Sequence, residues 1–433
     1  MQVKRCRRAV VVTALALLAA PAVAHANEVT HWNKVATDTL VVFPAPAGGA
    51  APALQVDMAM TQGAVYDAVN AIEPRHRPYL LGTPFVSTAS KDAATATAAY
   101  RVLSNIVSTV PTTITFPNRA ALLTSLATEY AASLAAVPAG ASKDAGVAAG
   151  TAAADAMLAA RAGDGRFGPS PWVSNTSPGH WQPLLNPDGS LQLDPTAWVA
   201  NVKPFLLRNS SQFRTEGPQS LGSIAYASDV NEVKALGPST GSTRTDEQTH
   251  NAIFWQTAGG PALLWNGAAR GLADERGLDS GDSALLYAML NLASADAAIN
   301  VWNDKYYWDF WRPWQAIRGA DLDRNPATTA DPAWTALITA PYPEHPSGHI
   351  GLDSAALEAL RTFFRTNKLM LAVTSSRFPG ETRTFTKVQQ PLKEIVEARI
   401  WAGLHFRTAD EQAKKLGRQV ARYMAKHYFQ PLH

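Results

Sequence analysis

The chain has 433 residues, with 38 Lys and Arg against 35 Asp and Glu, a formal charge of +3 and one cysteine. Four of the basic residues fall within the first eight; without residues 1–26 the balance is 34 to 35, a net of −1, which gives no ground for a nucleic-acid or anionic-membrane partner. The single Cys6 excludes a disulfide framework, and a chain of this length can build its core without one.

The elements begin with a leader. Lys4, Arg5, Arg7 and Arg8 precede an apolar run from Ala9 to Ala24, and Ala24-His25-Ala26 places small residues around a cleavage point. A run of about 16 apolar residues broken by Pro21 falls short of a membrane span. Residues 1–26 therefore read as an export signal. The mature protein is expected in the periplasm or outside the cell, without a thiol and without a membrane segment. Arg7-Arg8 matches only part of a twin-arginine signal, so the export route stays open.

Apolar residues at three- and four-residue steps predict Ala-rich helices over 55–72, 91–108, 119–136 and 142–162. Residues 163–218 are rich in Gly, Pro, Ser, Asn and Trp and read as a long covering loop, pinned by its tryptophans and Phe205. A second helical series is predicted over 220–235, 244–257, 261–273, 283–311, 350–365, 391–405 and 410–427. Strand-like alternation is nearly absent. The expected fold is all-α: an N-terminal helical half (27–162), the loop (163–218), and a C-terminal bundle (219–433) carrying the chemistry. Ala-rich faces are compatible with a homodimer, but no stretch marks an interface.

Three segments of the second series carry candidate chemistry. In "WNDKYYWDFWRPWQAIR", Lys305 and Arg312 are seven apart, a spacing that puts both on one helical face, and Pro313 tends to stop the helix there. The aromatic surroundings are too apolar for a solvated ridge, so both read as buried cations in need of an anion. In "YPEHPSGHIG", Ser347 is a suitable N-cap for the helix that follows. Gly348 and His349 then fall in its first turn, where free N–H groups and the helix dipole favour an anion. His345 and His349 have the spacing of a helical zinc pair. Pro346 and Gly348 lie between them, however, and the glutamate of zinc hydrolases is missing. A calcium loop at "DLDRNP" fails because Pro326 stands at the glycine position. In "EARIWAGLHFRTADEQ", Arg399 and His405 are six apart and share no helical face unless Gly403 marks a distortion.

Lys305-x6-Arg312-Pro313, Pro346-Ser347-Gly348-His349 and Arg399-x5-His405, in that order, resemble the three-part signature of the type 2 phosphatidic acid phosphatase and vanadium-dependent haloperoxidase superfamily. "YDAVNAIEPRHRPY" and the "GHWQP…VKPF" loop look like exported bacterial members of its haloperoxidase branch. The third motif departs from the usual pattern. Ala398 stands where serine is usual, and Ala409 replaces an aspartate four residues after the histidine, with Asp410 one step later. The group that orients His405 is thus left between Asp410 and a backbone carbonyl.

The resemblance implies a site for vanadate, or for near-isosteric phosphate, held by Lys305, Arg312, Arg399, Ser347 and Gly348. In a haloperoxidase, His405 would ligate vanadium and His349 would handle the proton as hydrogen peroxide and halide give hypohalous acid for an organic acceptor. In a phosphatase acting on phosphomonoesters, His405 would be the nucleophile and His349 would protonate the leaving alcohol. The large N-terminal half and the aromatic wall tilt the reading towards the haloperoxidase. A non-catalytic anion-binding module is a third reading; it predicts binding without turnover. His345 and Tyr342 lie where the family's halide preference is thought to be influenced. His345 reads either as an acid–base group behind the site or as a solvent-facing turn residue.

Overall fold

The computed structural model describes residues 27–432; the leader assigned to residues 1–26 lies outside them. Thirteen α-helices account for most of the described residues. The first five are α1 (Glu28–Val41), α2 (Ala51–Ile72), α3 (Lys91–Thr109), α4 (Arg119–Ala136) and α5 (Ala141–Ala160). They are followed by α6 (Ile224–Leu236), α7 (Asp246–Phe254), α8 (Gly260–Arg276), α9 (Ser280–Trp308) and the short α10 (Pro313–Arg318). The last three are α11 (Gly348–Phe364), α12 (Gln389–Trp401) and α13 (Arg407–His427). An antiparallel hairpin of β1 (Leu371–Thr374) and β2 (Thr382–Phe385) interrupts the all-α pattern, with Leu371 opposite Phe385.

Local chemistry sets several starts. Asn27, Ser90, Ser223 and Asp279 each accept a hydrogen bond from a first-turn N–H, and Thr245 with Gln248 closes a capping box on α7. The centre of the molecule is α9. It is long and apolar enough to cross a membrane, but the apolar window is wholly buried inside the protein. α2 packs along one side of it, where Gly63 meets Leu292 and Gln55 donates to Asn291 at 3.0 Å. α11 and α13 pack on other sides. One apolar core runs through both halves. The C-terminal end also reaches back: Arg77 N–H donates to Gln430 C=O at 2.8 Å, and the Phe429 and Tyr66 rings lie 5.0 Å apart.

Residues 163–218 are ordered by polar groups as much as by aromatic ones. Asp296 accepts from the N–H groups of Phe205, Leu206 and Leu207 at 2.6–2.7 Å. One turn on, Asn300 accepts from Phe213 N–H at 3.1 Å; a turn further, Asp304 accepts from Thr215 N–H at 2.7 Å. These residues share one face of α9 because they repeat every fourth position. The expected aromatic pins are present in part: Trp181 and Trp198 are buried, and Arg161 stacks 3.9 Å above Phe205.

Candidate active site

Lys305 lies in the last turn of α9, which stops at Trp308 with Asp309 in the left-handed region (φ +47°). Arg312 is therefore not on the same helix face. It sits at the N-cap of α10 with extended backbone (φ −78°, ψ 159°), the conformation that the following Pro313 imposes. The two cations meet through a reversal of the chain, and the Tyr342 ring lies between them, 5.2 Å from Lys305 Nζ and 4.9 Å from the Arg312 guanidinium carbon.

Arg399 and His405 converge for a related reason. α12 ends at Trp401, and Gly403 turns the chain at φ +73°; a Cβ there would stand 2.6 Å from the Gly237 carbonyl oxygen. Ser347 occupies the N-cap of α11, but its hydroxyl makes no capping bond. Gly348 is required by packing, since a Cβ would lie 2.9 Å from the Trp302 ring. Tyr342, Gly348, His349, Arg399 and His405 line a cavity of about 280 Å³, which Asp194 and Thr196 of the covering loop help to close.

Buried donors without a protein partner mark what the site can hold. Among the described residues these include Arg312 Nη2 and Arg399 Nε; Ser347 Oγ and His349 Nε2 also make no hydrogen bond of normal geometry, with the Asp410 and Asp353 carboxyls beside them. All belong to residues that line or adjoin the cavity. Leaving such groups buried and unmatched is costly, and an oxyanion would match them. Lys305 differs. Its ammonium donates to the carbonyl oxygens of Pro343, Glu344 and Pro346 at 3.0, 3.0 and 2.6 Å, which uses all three of its protons. Burial and then the Arg312 charge push Lys305 well below the usual lysine value, while the three carbonyls favour the charged form. Lys305 thus braces the 343–346 turn and contributes its charge from behind.

Both histidines are held neutral. Burial, followed by Arg312, pushes His405 well below the imidazole range; burial, followed by Arg399, does the same to His349. His405 Nδ1 lies 2.9 Å from Glu344 Oε1, so Glu344 is the group beside the ring. Asp410 makes no hydrogen bond to His405. It is buried with both oxygens unpartnered and is pushed well above the carboxylate range by burial, a shift that the nearby Ser347 hydroxyl tempers. Behind His349, Asp353 Oδ2 lies 3.5 Å from Nε2, and its other oxygen accepts from Trp265 Nε1 at 2.7 Å. Burial pushes Asp353 up to about 8.

His345 does not take the solvent-facing position. It is buried, and it does not line the cavity. Its Nε2 lies 3.2 Å from Thr215 Oγ1 and its ring meets Trp308 edge-on, which ties the end of the covering loop to the turn.

Sequence reasoning missed Glu344, Asp353, Trp265, Asp194 and Gln256, whose Oε1 accepts from Arg399 Nη1 at 2.9 Å. Asp353 carried a readable signal, four residues after His349 on one helix face. Gln256 and Asp194 carried none.

Residues 285–433 match a protein family described as the VCPO second helical-bundle domain, a span containing every residue of the three motifs. The vanadium chloroperoxidase of Curvularia inaequalis is 26% identical over 200 residues, 37% of this chain and 32% of that relative. Residues 285–433 are thus similar to the second helical bundle of the vanadium haloperoxidases. The aligned stretch is thus about a third of the relative's length. Likeness in fold to solved vanadium-dependent peroxidases extends over both halves. A bacterial vanadium-dependent iodoperoxidase structure superposes with TM-score 0.71 over 94% of this chain and 97% of its own, at 21% identity. The holo form of a bacterial vanadium-dependent chloroperoxidase gives 0.68 over 90% and 93%, at 19% identity. The unmatched donors on Arg312 and Arg399, beside a neutral His405, fit the oxyanion that the superfamily's name implies.

Proposed function

We propose that the protein is a vanadate-dependent haloperoxidase that uses hydrogen peroxide to oxidise halide to hypohalous acid. The observation that carries this reading is the set of buried, unmatched donors around the cavity that His405 lines. Bound vanadate would supply a Lewis-acid centre that activates peroxide towards halide.

The residues divide the remaining work. Arg312 and Arg399 neutralise the oxyanion, with Lys305 adding charge behind them. Ser347 Oγ and the Gly348 N–H at the start of α11 donate to its oxygens. His405 presents Nε2 as the ligand to the metal. His349, neutral and inside the cavity, is the group that can take the peroxide proton, and Asp353 stands 3.5 Å behind it, where it can orient the ring. The covering loop excludes water through Asp194, whose Oδ2 accepts from Trp302 Nε1 at 2.8 Å and Tyr306 OH at 2.9 Å. We place the reaction outside the cytoplasm on the strength of the leader, with hydrogen peroxide, halide and an organic acceptor as the partners.

Purified protein is to be assayed for peroxide-dependent bromination after addition of orthovanadate, beside p-nitrophenyl phosphate hydrolysis without it. Bromination that requires vanadate is the expected result. Phosphate ester turnover that vanadate only inhibits, with no bromination, would assign the site to a phosphatase. A His405→Ala variant should lose vanadate-dependent bromination entirely.

A further inference from the structure

We propose that Glu344 is the positioning residue of the third motif: its carboxylate fixes His405 in the tautomer and orientation that turn Nε2 towards the cavity. The consequence for vanadate rests on the haloperoxidase reading; the tautomer does not.

Contacts at both ends of the ring bear on that tautomer. Glu344 Oε1 accepts from Phe406 N–H at 3.0 Å, and a backbone N–H can only donate, so this oxygen is an acceptor. His405 Nδ1 lies 2.9 Å from the same oxygen, which as a carboxylate takes the ring proton as a second acceptor bond; burial pushes Glu344 up to about 8, the Arg312 and Lys305 charges opposing, so the contact at the other end of the ring decides between the tautomers. At the other end of the ring, Nε2 lies 3.5 Å from Arg312 Nη1, which has no lone pair to offer, so Nε2 is the unprotonated nitrogen. A single carboxylate oxygen therefore holds both the imidazole and the main chain beside it, from a side chain with 0% exposure.

The arrangement also accounts for the departure in the third motif. With Ala409 at the usual aspartate position and Asp410 unbonded to the ring, the orienting carboxylate comes from the second motif. Its backbone is anchored separately: Glu344 N–H donates to Phe310 C=O at 2.9 Å, and its C=O accepts from Lys305 at 3.0 Å. Substitution at position 344 can therefore address the carboxylate while leaving the turn tied down. Partners of this kind that orient a metal-ligating histidine are worth about 10–100-fold in metal affinity.

The test combines nitrogen-15 NMR of the His405 ring in vanadate-free protein with calorimetric titration of orthovanadate, for wild type, Glu344→Gln and Glu344→Leu. Wild type should show Nδ1 protonated. Glu344→Gln should keep that tautomer and near wild-type affinity, because the amide oxygen can accept both bonds. Glu344→Leu should lose the tautomer preference and bind vanadate about 10–100-fold more weakly. A wild-type ring protonated at Nε2 overturns the proposal without any variant, as does Glu344→Leu with unchanged tautomer and affinity. Should Glu344→Leu not fold, the wild-type tautomer and its retention in Glu344→Gln decide. If wild type binds no vanadate, the haloperoxidase reading fails, while the tautomer result still decides the role of Glu344.

Discussion

Each histidine of the site has a carboxylate behind it, and the two pairs differ in closeness. Glu344 bonds His405 directly at 2.9 Å, whereas Asp353 stands 3.5 Å from His349 with its other oxygen held by Trp265. The first geometry suits a fixed ligand and the second a ring that gains and loses a proton. Replacing His349 by Ala is expected to lower bromination turnover by about 10²–10⁴-fold while vanadate still binds. Asp353→Asn should leave vanadate affinity near wild type and lower turnover by roughly tenfold, the low end of effects from groups that orient a first-contact residue. Steady-state kinetics with calorimetry checks both, and full turnover in Asp353→Asn would reduce Asp353 to a partner of Trp265. Of the carboxylates, Glu344 was in view from the start, three residues before Ser347, but nothing in a linear motif says which way a turn residue points.

Element boundaries decide how the motif residues meet, and there periodicity misleads. The pattern over 283–311 predicts a helix carrying Lys305 and Arg312 together, but α9 ends at Trp308. A run of aromatic residues has no polar face from which to read an end, and Asp309 turns the chain without a glycine to announce it. Gly403, by contrast, was readable as a break. Gly403→Ala is expected to destabilise the protein by about 1–3 kcal/mol through the positive φ alone, with the Gly237 contact adding to it, as measured by urea denaturation. α1 went unseen because its buried face includes Thr30, Asn33, Thr37 and Thr39, which dilute its apolar stripe. Within α2, Asp57 is paired with Arg166 at 2.5 Å, yet burial raises it to about 7, the Arg166 charge opposing. Its proton is held more tightly folded than unfolded, so its contribution to stability is full below the unfolded value and is lost as pH rises through about 7. Wild type should therefore lose stability relative to Asp57→Asn between about pH 4 and 7, by about 1.4 kcal/mol per pH unit at most. Equal pH profiles for the two proteins would show that Asp57 titrates normally.

At the scale of the molecule, the covering loop and the catalytic bundle are joined by the polar ladder of α9. Asp296→Ala removes the acceptor of three buried N–H groups, and the expected cost is about 1–3 kcal/mol for each group left unmatched. Hydrogen exchange at Phe205, Leu206 and Leu207 should accelerate first; unchanged protection there would show that the aromatic contacts suffice. The all-α class and the three motifs were legible because each rests on local composition or spacing. The enclosure of α9 was not, since which apolar face meets which is a property of the whole chain. That enclosure bears on how such a protein can be taken apart. The stretch 285–433 holds every residue of the three motifs, yet it begins inside α9 and lacks α2, which covers one flank of that helix. The catalytic bundle is therefore not a portable cassette. A recombination point between α2 and α9 divides a shared core, so separating the two halves would expose the flank of α9 that α2 covers.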